Sequence, residues 1–305
     1  MDAIEKTLLE QIAGLHKIPT GAYNIRANGK TESRNTTANI DIISKPDGSG
    51  IDIRIRPGTK HESVHIPVIL SQAGLQEVVY NDFYIGEGAD VVIIAGCGIH
   101  NSSCDTSRHD GIHRFFIEKG AKVKYVEKHY GEGDGNGKRI MNPKTVVELG
   151  EDAYMEMDSV QIKGVDSTVR ETDAVLDKGA RFVVTERLMT HGQQDARSEF
   201  SVDLNGEGSS ANVVSRSVAR EDSRQVFVSK IHGNQACSGH SECDSIIMDN
   251  AKISAVPEIT ANHPDAALIH EAAIGKIAGE QITKLMTLGL TEQEAEEQIV
   301  NGFLK

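Results

Sequence analysis

Four side chains that can bind metal ions lie within twelve residues of one another in the segment KIHGNQACSGHSECDS: His232, Cys237, His240 and Cys243. Thiolates combined with imidazole or carboxylate ligands suit iron–sulfur clusters or zinc. The spacing matches neither the C-x-x-C pattern of zinc knuckles nor the cysteine run of ferredoxins. On one straight strand, Cys237 and Cys243 would share a face but lie about 20 Å apart, too far for one small metal centre. Either a bend at Gly239 brings the two thiols together, or each cysteine belongs to a different site.

Two further segments carry residues of the same chemical types. Cys97 and Cys104 occur in AGCGIHNSSCDTSRHDGIH, near His100, His109 and His113. Here metal binding and a structural role, with small buried cysteines and surface histidines around them, are equally good interpretations. In NHPDAALIHEAAIGKI, His270 and Glu271 follow an apolar run and precede small residues that permit close packing. They are candidate ligands, with a core histidine and a solvated acid as the alternative.

The composition restricts the classes of protein to consider. A length of 305 residues predicts about two domains, or one elongated all-β domain. The net charge of −13 repels phosphate backbones, so we expect no nucleic-acid partner. The start MDAIEKTLLEQIAGL lacks the pattern of a signal peptide, and no apolar run approaches the roughly 18 residues of a membrane span. We therefore expect a cytoplasmic protein without structural disulfides.

Two glycine-rich stretches resemble a P-loop but fail its pattern G-x-x-x-x-G-K-[ST]. In HYGEGDGNGKR, Glu132 replaces the first glycine and Arg139 replaces the hydroxyl residue, so we expect Gly131–Gly137 to be a mobile surface loop. In YNIRANGKT, Asn24 replaces the leading glycine. No G-x-S-x-G or H-E-x-x-H motif occurs either. We therefore expect a protein that is not itself an enzyme, with any ATP hydrolysis supplied by another polypeptide.

A repeated glycine turn with strand-like sequence on both sides organises the chain. The glycines that mark it are separated by 32, 30, 29 and 29 residues. They are Gly88, Gly120, Gly150, Gly179 and Gly208. After the turns, apolar residues alternate with polar ones, as in Ala153, Met155 and Met157, which indicates strands with one buried face. A weaker sixth turn has Asn250 in place of glycine. This regular repeat favours a β-helix-like solenoid of stacked coils, with a β-sandwich as the competitor.

The two ends differ from the repetitive middle. Apolar residues at helical spacing near the N-terminus, from Ile4 to Leu15, predict a helix that caps the solenoid. Near the C-terminus, EQITKLMTLGL predicts a helix that ends at Gly289, and Thr291 with Glu294 forms a capping-box pattern before a second helix. We expect an N-terminal helix and leading strands in residues 1–60, the β-helix core in 61–276, and a helical module with an exposed apolar stripe in 277–305.

Three ordered motifs resemble one known family. The stretch ECDSIIM, then IHEAAIGKI, and finally GLTEQEAEEQIVNGF are similar to the SufB/SufD core family of iron–sulfur cluster assembly scaffolds, over roughly residues 60–305. The resemblance implies a right-handed parallel β-helix with a helical C-terminal domain. It also implies that Cys243 is the cysteine of the family's CDS element, and that His270 and Glu271 belong to its HEA element.

The resemblance further implies partners and a function. In that family, a SufC-type ABC ATPase docks on the helical tail, and nascent cluster is built on the scaffold and passed to apoproteins. Because Cys243 and Glu271 are both present, the chain is closer to SufB than to SufD, and we expect a homodimer through the β-helix core. The expected cargo is a transient [4Fe-4S] or [2Fe-2S] cluster. Its expected ligands are Cys243, Glu271 and His270, with Cys237 and His240 as additional metal ligands.

Two other functions are also compatible with the sequence. A zinc-stabilised β-solenoid that serves as an interaction scaffold would use the same cysteines and histidines. A carbohydrate-active β-helix enzyme would need an aromatic-lined groove, which the aromatic content of 4% disfavours. Neither the cluster type nor the roles of Cys97 and Cys104 follow from the sequence.

Overall fold

The computed structural model of the chain describes residues 3–15 and 19–305. The first half of the chain contains α1 (Ala3–Ala13), β1 (Ala22–Ala27), β2 (Lys30–Asn35), β3 (Ile40–Ser44), β4 (Gly50–Ile55), β5 (Lys60–Leu70), β6 (Gln76–Ile85), β7 (Asp90–His100), β8 (Ser107–Ile117), β9 (Lys122–Glu132), β10 (Arg139–Met141) and β11 (Lys144–Leu149). The second half contains β12 (Tyr154–Lys163), β13 (Ser167–Leu176), β14 (Arg181–Thr190), β15 (Asp195–Leu204), β16 (Ser210–Ala219), β17 (Arg224–Gly233), β18 (Cys237–Ile247), β19 (Lys252–Ala261), β20 (Ala266–Gly275), α2 (Gly279–Thr287) and α3 (Glu292–Phe303).

The strands build two facing sheets of a parallel β-solenoid. Sheet A has the order β2-β1-β5-β7-β9-β12-β14-β16-β18-β20, and sheet B has the order β19-β17-β15-β13-β10-β8-β6-β4-β3, with β11 between β13 and β8. From β4 onward the chain alternates between the sheets, with β10 and β11 as two consecutive segments of one coil in sheet B. Neighbours within a sheet are parallel except for β2 and β3, which pair antiparallel at the start. The predicted solenoid is confirmed, and the β-sandwich alternative is wrong.

The core fills the space between the two sheets. The predicted alternation is confirmed, since Ala153, Met155 and Met157 are all buried there. The turns follow the predicted repeat, with left-handed backbone at four of the five glycine markers. In the remaining turn the left-handed residue is Asp152 rather than Gly150, and in the sixth turn it is Asp249 rather than Asn250. The position of the marker therefore shifts within a turn although the coil length is preserved.

Helix α1 lies on the outer face of sheet A. The sequence predicted that it would cap the end of the solenoid, and this prediction is wrong. Its apolar side chains Leu8 and Ile12 pack above β7, whose outward positions there are Gly96 and Gly98. A Cβ atom on Gly96 would come within 2.8 Å of Ile12. The two glycines thus leave room for the helix. The antiparallel strands β2 and β3 complete the sheets at this end.

The opposite end of the solenoid is open. Strands β19 and β20 are the last strands of the two sheets, and each pairs on one side only. Ile259 lies in register with the buried Ile231, and Ile274 lies in register with the buried Ser245, yet both isoleucines are exposed. They face the interior, but no further coil of residues 3–15 and 19–305 covers them. The last coil therefore presents core positions and unpaired backbone to the outside.

The two C-terminal helices lie beside this end. The capping box between Thr291 and Glu294 is present at the start of α3. Helix α3 packs on the solenoid through Val300 and Leu304, which share a buried cluster with Val218, and Phe303 packs against this cluster. Ala295 of the same helix is also buried. None of the residues of α2 is buried: Met286 in its last turn is 45% exposed, and Leu288, directly after it, is 75% exposed. In the described part of the chain, no helix is long and apolar enough to span a membrane.

Candidate functional site

Cys243 lies in the middle of β18, and its side chain points into the solenoid. It stacks between Ser215 of β16 and Ala272 of the last strand, β20. The thiol is 1% exposed and lies 3.7 Å from the hydroxyl of Ser245. Burial raises the pKa of Cys243 to about 11, although the hydrogen bond to Ser245 opposes that shift. The thiol is therefore protonated at neutral pH, one strand away from the open end.

His270 occupies an inward position on the neighbouring strand β20. Its Nδ1 atom lies 3.2 Å from the hydroxyl of Ser241, which precedes Cys243 by one inward position. Its Nε2 atom is buried and has no hydrogen-bond partner among the described residues. Burial lowers the pKa of His270, and the nearby His240 contributes in the same direction. A neutral imidazole with a buried, unused nitrogen is the state that binds a metal.

Cys237 lies at the start of β18, on the same inward face as Cys243. The strand continues through Gly239 without the bend that would bring the thiols together. Six residues of extended chain separate the two cysteines by about 20 Å, so they do not share one metal centre within one chain. Cys237 packs in the main core cluster, and burial raises its pKa. A Cβ atom on Gly239 would come within 2.8 Å of Ile231 and Leu268, so this glycine serves core packing.

His240 and Glu271 lie on the outer face of sheet A. The Nε2 atom of His240 is 3.5 Å from a carboxylate oxygen of Glu271. Glu242, which the sequence reasoning did not single out, completes a group of three whose potential ligand atoms lie within 4.8 Å of one another. Burial raises the pKa of Glu242, and a hydrogen bond with Asp244 adds to the effect. The predicted ligands thus divide between two faces: Cys243, Cys237 and His270 point inward, whereas His240 and Glu271 point outward.

The other two cysteines lie far along the chain from this end. Cys97 is buried at an inward position of β7, and burial, together with the charges of Glu77 and Glu127, raises its pKa well above the usual value. Cys104 is exposed in the loop after β7. The nearby histidines are not surface residues, since His109 and His113 are both buried inside the solenoid. The interpretation of Cys97 as a buried residue with histidines on the surface around it is therefore only half right.

A column of buried polar side chains runs inside sheet A toward Cys243. In register order it passes from Glu127 through Ser159, Glu186 and Ser215 to Cys243. Arg170 of sheet B pairs with Glu127 and lies 3.5 Å from Glu186, whose other oxygen accepts a 2.7 Å hydrogen bond from Ser215. Buried charges are stable only when paired in this way. The thiol thus has polar neighbours along the inside of sheet A, and it also packs in the main hydrophobic core cluster.

Part of this column could have been found from the sequence. Phe182 and Val184 face inward, and counting on by two along the same strand places Glu186 inward as well. The same count from Val123 through Tyr125 reaches Glu127. No comparable signal identifies Glu242, because it becomes a candidate only once β18 and β20 are known to be neighbours in register.

The glycine-rich segment after β9 forms a depression of about 580 Å³ on the surface. The segment was expected to be a mobile loop, but its backbone hydrogen-bonds to the preceding coil through Gly135 and Gly137. The lining combines glycines with Lys138, Arg139 and Asp166, and Tyr130 is the aromatic residue in it. This is not the aromatic-lined groove that a carbohydrate-active enzyme would need.

Comparisons with known proteins agree with the motifs and with the fold. An iron–sulfur cluster assembly SufBD family protein of Methanothermobacter thermautotrophicus (strain Winter) is 29% identical over 260 residues, which make up 84% of this chain and 62% of that protein. A SufBD family protein of Pyrococcus horikoshii is 27% identical over 297 residues, 97% of this chain and 84% of that protein. The iron–sulfur cluster assembly protein SufB of Bacillus subtilis (strain 168) is 27% identical over 227 residues.

The chain spans about three-fifths of the length of the Methanothermobacter relative and about half of the length of SufB. The family model for the SUF system of FeS cluster assembly, SufBD core domain, matches residues 72–303. This match includes all the coils from β6 onward and both C-terminal helices. The chain therefore belongs to the SufBD core family of iron–sulfur cluster assembly proteins.

Proposed function

We propose that this protein is a scaffold subunit on which an iron–sulfur cluster is assembled at the open end of the solenoid and then passed to apoproteins. The observation that carries the proposal is the pair formed by Cys243 and His270. Both side chains point into the interior on the last two strands of sheet A, and the Nε2 atom of His270 is buried without a partner. A thiolate and an imidazole are suitable ligands for iron in a cluster.

The protonation state of Cys243 suits temporary binding. With a pKa of about 11, the thiol must lose its proton when it binds iron or accepts sulfur. This proton loss makes binding less favourable at neutral pH, so the cargo is held less tightly than by a preformed thiolate. Weak binding is what a scaffold needs if it is to release its cluster to another protein.

A second copy of the chain supplies the missing half of the site. The edge of β20 carries no proline, whereas Pro257 interrupts the donor row of β19, so β20 is the better edge for pairing. Two β20 strands that pair antiparallel about their midpoint would place His270 and Glu271 of each copy opposite those of the other. The same contact would cover Ile259 and Ile274, which face the interior but are exposed in one chain. A homodimer through the last coil is therefore part of the proposal.

The other proposed partner is a SufC-like ABC ATPase that docks on α2. Helix α2 has no buried residue, and Met286 and Leu288 offer an apolar surface that is left exposed by the residues the structure describes. ATP binding by two such partners would bring the two C-terminal helical modules of a dimer closer together. Because α3 is anchored to Val218 near β18, this movement would reach the end of the solenoid where Cys243 lies.

The test is anaerobic reconstitution with iron and sulfide, followed by the visible absorbance of the cluster and by assays of iron and acid-labile sulfide. Cys243→Ser should lose at least nine-tenths of the chromophore, whereas the matched variant Cys104→Ser, which changes an exposed thiol, should keep it. Full retention of the chromophore by Cys243→Ser would overturn the proposal. Zinc without sulfide in the anaerobically purified protein would favour a zinc-stabilised interaction scaffold instead.

A further inference from the structure

Three residues on the outer face of sheet A converge at the same end of the solenoid as Cys243, but on the other side of the sheet. We propose that His240, Glu242 and Glu271 form a binding site for a divalent transition-metal ion, Fe²⁺ in the cell. The choice of iron rests on the proposed function, whereas the presence of a metal site does not. The site would hold single ions before they enter the interior where the cluster is built.

The geometry of the three donors fits one ion. Their potential ligand atoms all lie within 4.8 Å of one another. Two donors that bind the same ion at about 2.0–2.2 Å are at most about 4.4 Å apart. Shifts of less than about one ångström in the positions of these ligand atoms therefore bring the three donors into contact with one ion. One imidazole and two carboxylates suit Fe²⁺, Mn²⁺ or Zn²⁺ better than Ca²⁺ or Mg²⁺, which prefer oxygen ligands alone.

The histidine is already oriented for such a role. Its Nδ1–H donates to the side-chain oxygen of Asn212, 2.9 Å away on the adjacent strand β16. This hydrogen bond leaves the lone pair on Nε2, the atom that faces Glu271. A hydrogen bond from the second ring nitrogen is the arrangement that commonly fixes histidine ligands in metal sites.

The two carboxylates of Glu242 and Glu271 also favour a bound cation. Glu242 and Glu271 lie directly opposite each other on β18 and β20, where like charges repel. Elsewhere on the same outer face, the stacked residues Lys124 and Glu156 have opposite charges and form an ion pair at 2.9 Å. In the described part of the chain, neither Glu242 nor Glu271 forms an ion pair with a lysine or an arginine. A bound divalent ion would remove the repulsion between the two carboxylates.

A second histidine provides a matched control. His232, on the outer face of sheet B, also lies between two acids, but its Nδ1 faces Asp203 at 2.8 Å while its Nε2 faces Glu258 at 3.7 Å. Because the two carboxylates lie at opposite nitrogens of the ring, they cannot bind one ion together with it. His232→Asn therefore removes a histidine with similar neighbours without removing a site of this kind.

The experiment measures anaerobic binding of Fe²⁺ alone by calorimetry, with all variants made in a Cys104→Ser, Cys243→Ser background, which removes the exposed thiol and the thiol of the proposed cluster site. We expect one ion per chain, at least tenfold weaker binding for both Glu242→Gln and His240→Asn, and unchanged binding for His232→Asn. Circular dichroism melting curves verify that each variant is folded. Absence of Fe²⁺ binding, or equal affinity of the parent, Glu242→Gln and His240→Asn, would overturn the site.

The test of the metal site and the test of the proposed function measure different quantities, so one can fail without the other. The function is tested by the chromophore of Cys243→Ser, and the metal site by the Fe²⁺ affinity of Glu242→Gln. If Cys243→Ser keeps its chromophore while Glu242→Gln loses affinity, the assigned cluster site fails and the metal site stands. If Cys243→Ser loses its chromophore while Glu242→Gln binds Fe²⁺ normally, the reverse conclusion follows.

Discussion

Cys243 and Glu271 are one residue out of register on neighbouring strands, and their side chains point to opposite faces of sheet A. Cys243 pairs with Ala272, while Glu271 pairs with Glu242. Within one chain the thiol and the carboxylate therefore cannot bind the same atom, although their backbones are adjacent. The two groups can act on one cluster only at the edge of β20, where the sheet ends and a second copy can pair. This arrangement connects the proposed site to the proposed dimer.

The first prediction concerns the reactivity of Cys243 toward iodoacetamide. Only the thiolate reacts, and a pKa of about 11 instead of the reference 9.0 reduces the thiolate fraction at pH 8 by roughly a hundredfold. We expect the exposed Cys104 to be labelled first, and the labelling rate of Cys243 to rise about tenfold per pH unit up to about pH 11. Mass spectrometry of the labelled peptides measures both rates.

Denaturant provides the control for this prediction. In urea the two cysteines should react at similar rates, because unfolding removes the burial that raises the pKa of Cys243. Equal labelling of Cys104 and Cys243 in the native protein at pH 8 would show that the thiol is not held in a protonated, buried state.

The sequence predicted the solenoid but not the direction of each side chain on β18. The regular coil length and the alternation around Met155 and Phe182 give the stacked strands directly. In CSGHSECDS, neither alternate set of positions is apolar, so alternation alone cannot show which set faces the core. The inward set is determined by the pairing of β18 with β16 and β20, whose residues lie about thirty positions away in the sequence. The expected ligand set therefore mixed residues from both faces.

The position of α1 was missed for a related reason. Its apolar residues show that one face is buried, but they do not show against what. The complementary signal is the pair Gly96 and Gly98 on β7, which lie outward and leave a shallow surface for the helix. Small residues on an outward face become meaningful only after the strand's inward set, Val91 to Ile99, has been assigned.

The second prediction concerns the dimer through the last coil. Ile274 faces the interior of the solenoid but is exposed at its open end, so a second copy would bury it. Ile274→Asp would then place a charge in an apolar contact, and we expect a monomer at concentrations where the unchanged protein sediments as a dimer. Val175→Asp, on the outer face of sheet B, is the matched control and should leave the sedimentation unchanged. A monomeric unchanged protein would argue against the dimer.

The third prediction concerns docking of a SufC-like ATPase on α2. Replacing both Met286 and Leu288 with glutamate changes two exposed apolar residues, so the melting temperature should stay within about 2 °C of the original. We expect affinity for the ATPase in a pull-down or by calorimetry to fall at least tenfold, because charges replace the apolar contact. Val169→Glu, on β13 at an exposure close to that of Met286, should bind the ATPase normally. Normal binding by the α2 variant would place the docking surface elsewhere.

The fourth prediction concerns the buried pair of Arg170 and Glu127 behind the site. Burial alone would raise the pKa of Glu127, but Arg170 and His129 lower it well below its usual value. In the unchanged protein this carboxylate therefore adds stability at neutral pH, and that stability is lost as the pH falls through its lowered pKa. Arg170→Met would leave Glu127 and Glu186 buried without their guanidinium, which should reduce the free energy of unfolding by about 3–5 kcal/mol.

In Arg170→Met, the contribution of Glu127 to the free energy of unfolding should change with pH in the opposite direction to that in the unchanged protein. Without the guanidinium, burial dominates and raises the pKa of Glu127, so protonation at acidic pH relieves the unpaired charge. We expect the stability difference from the unchanged protein, measured by urea denaturation, to be larger at pH 8 than at pH 5.5. The double variant Arg170→Met, Glu127→Gln should recover part of the loss at pH 8, because it removes one buried charge along with its partner. A loss of equal size at both pH values, with no recovery in the double variant, would show that Arg170 stabilises the core by packing rather than by charge.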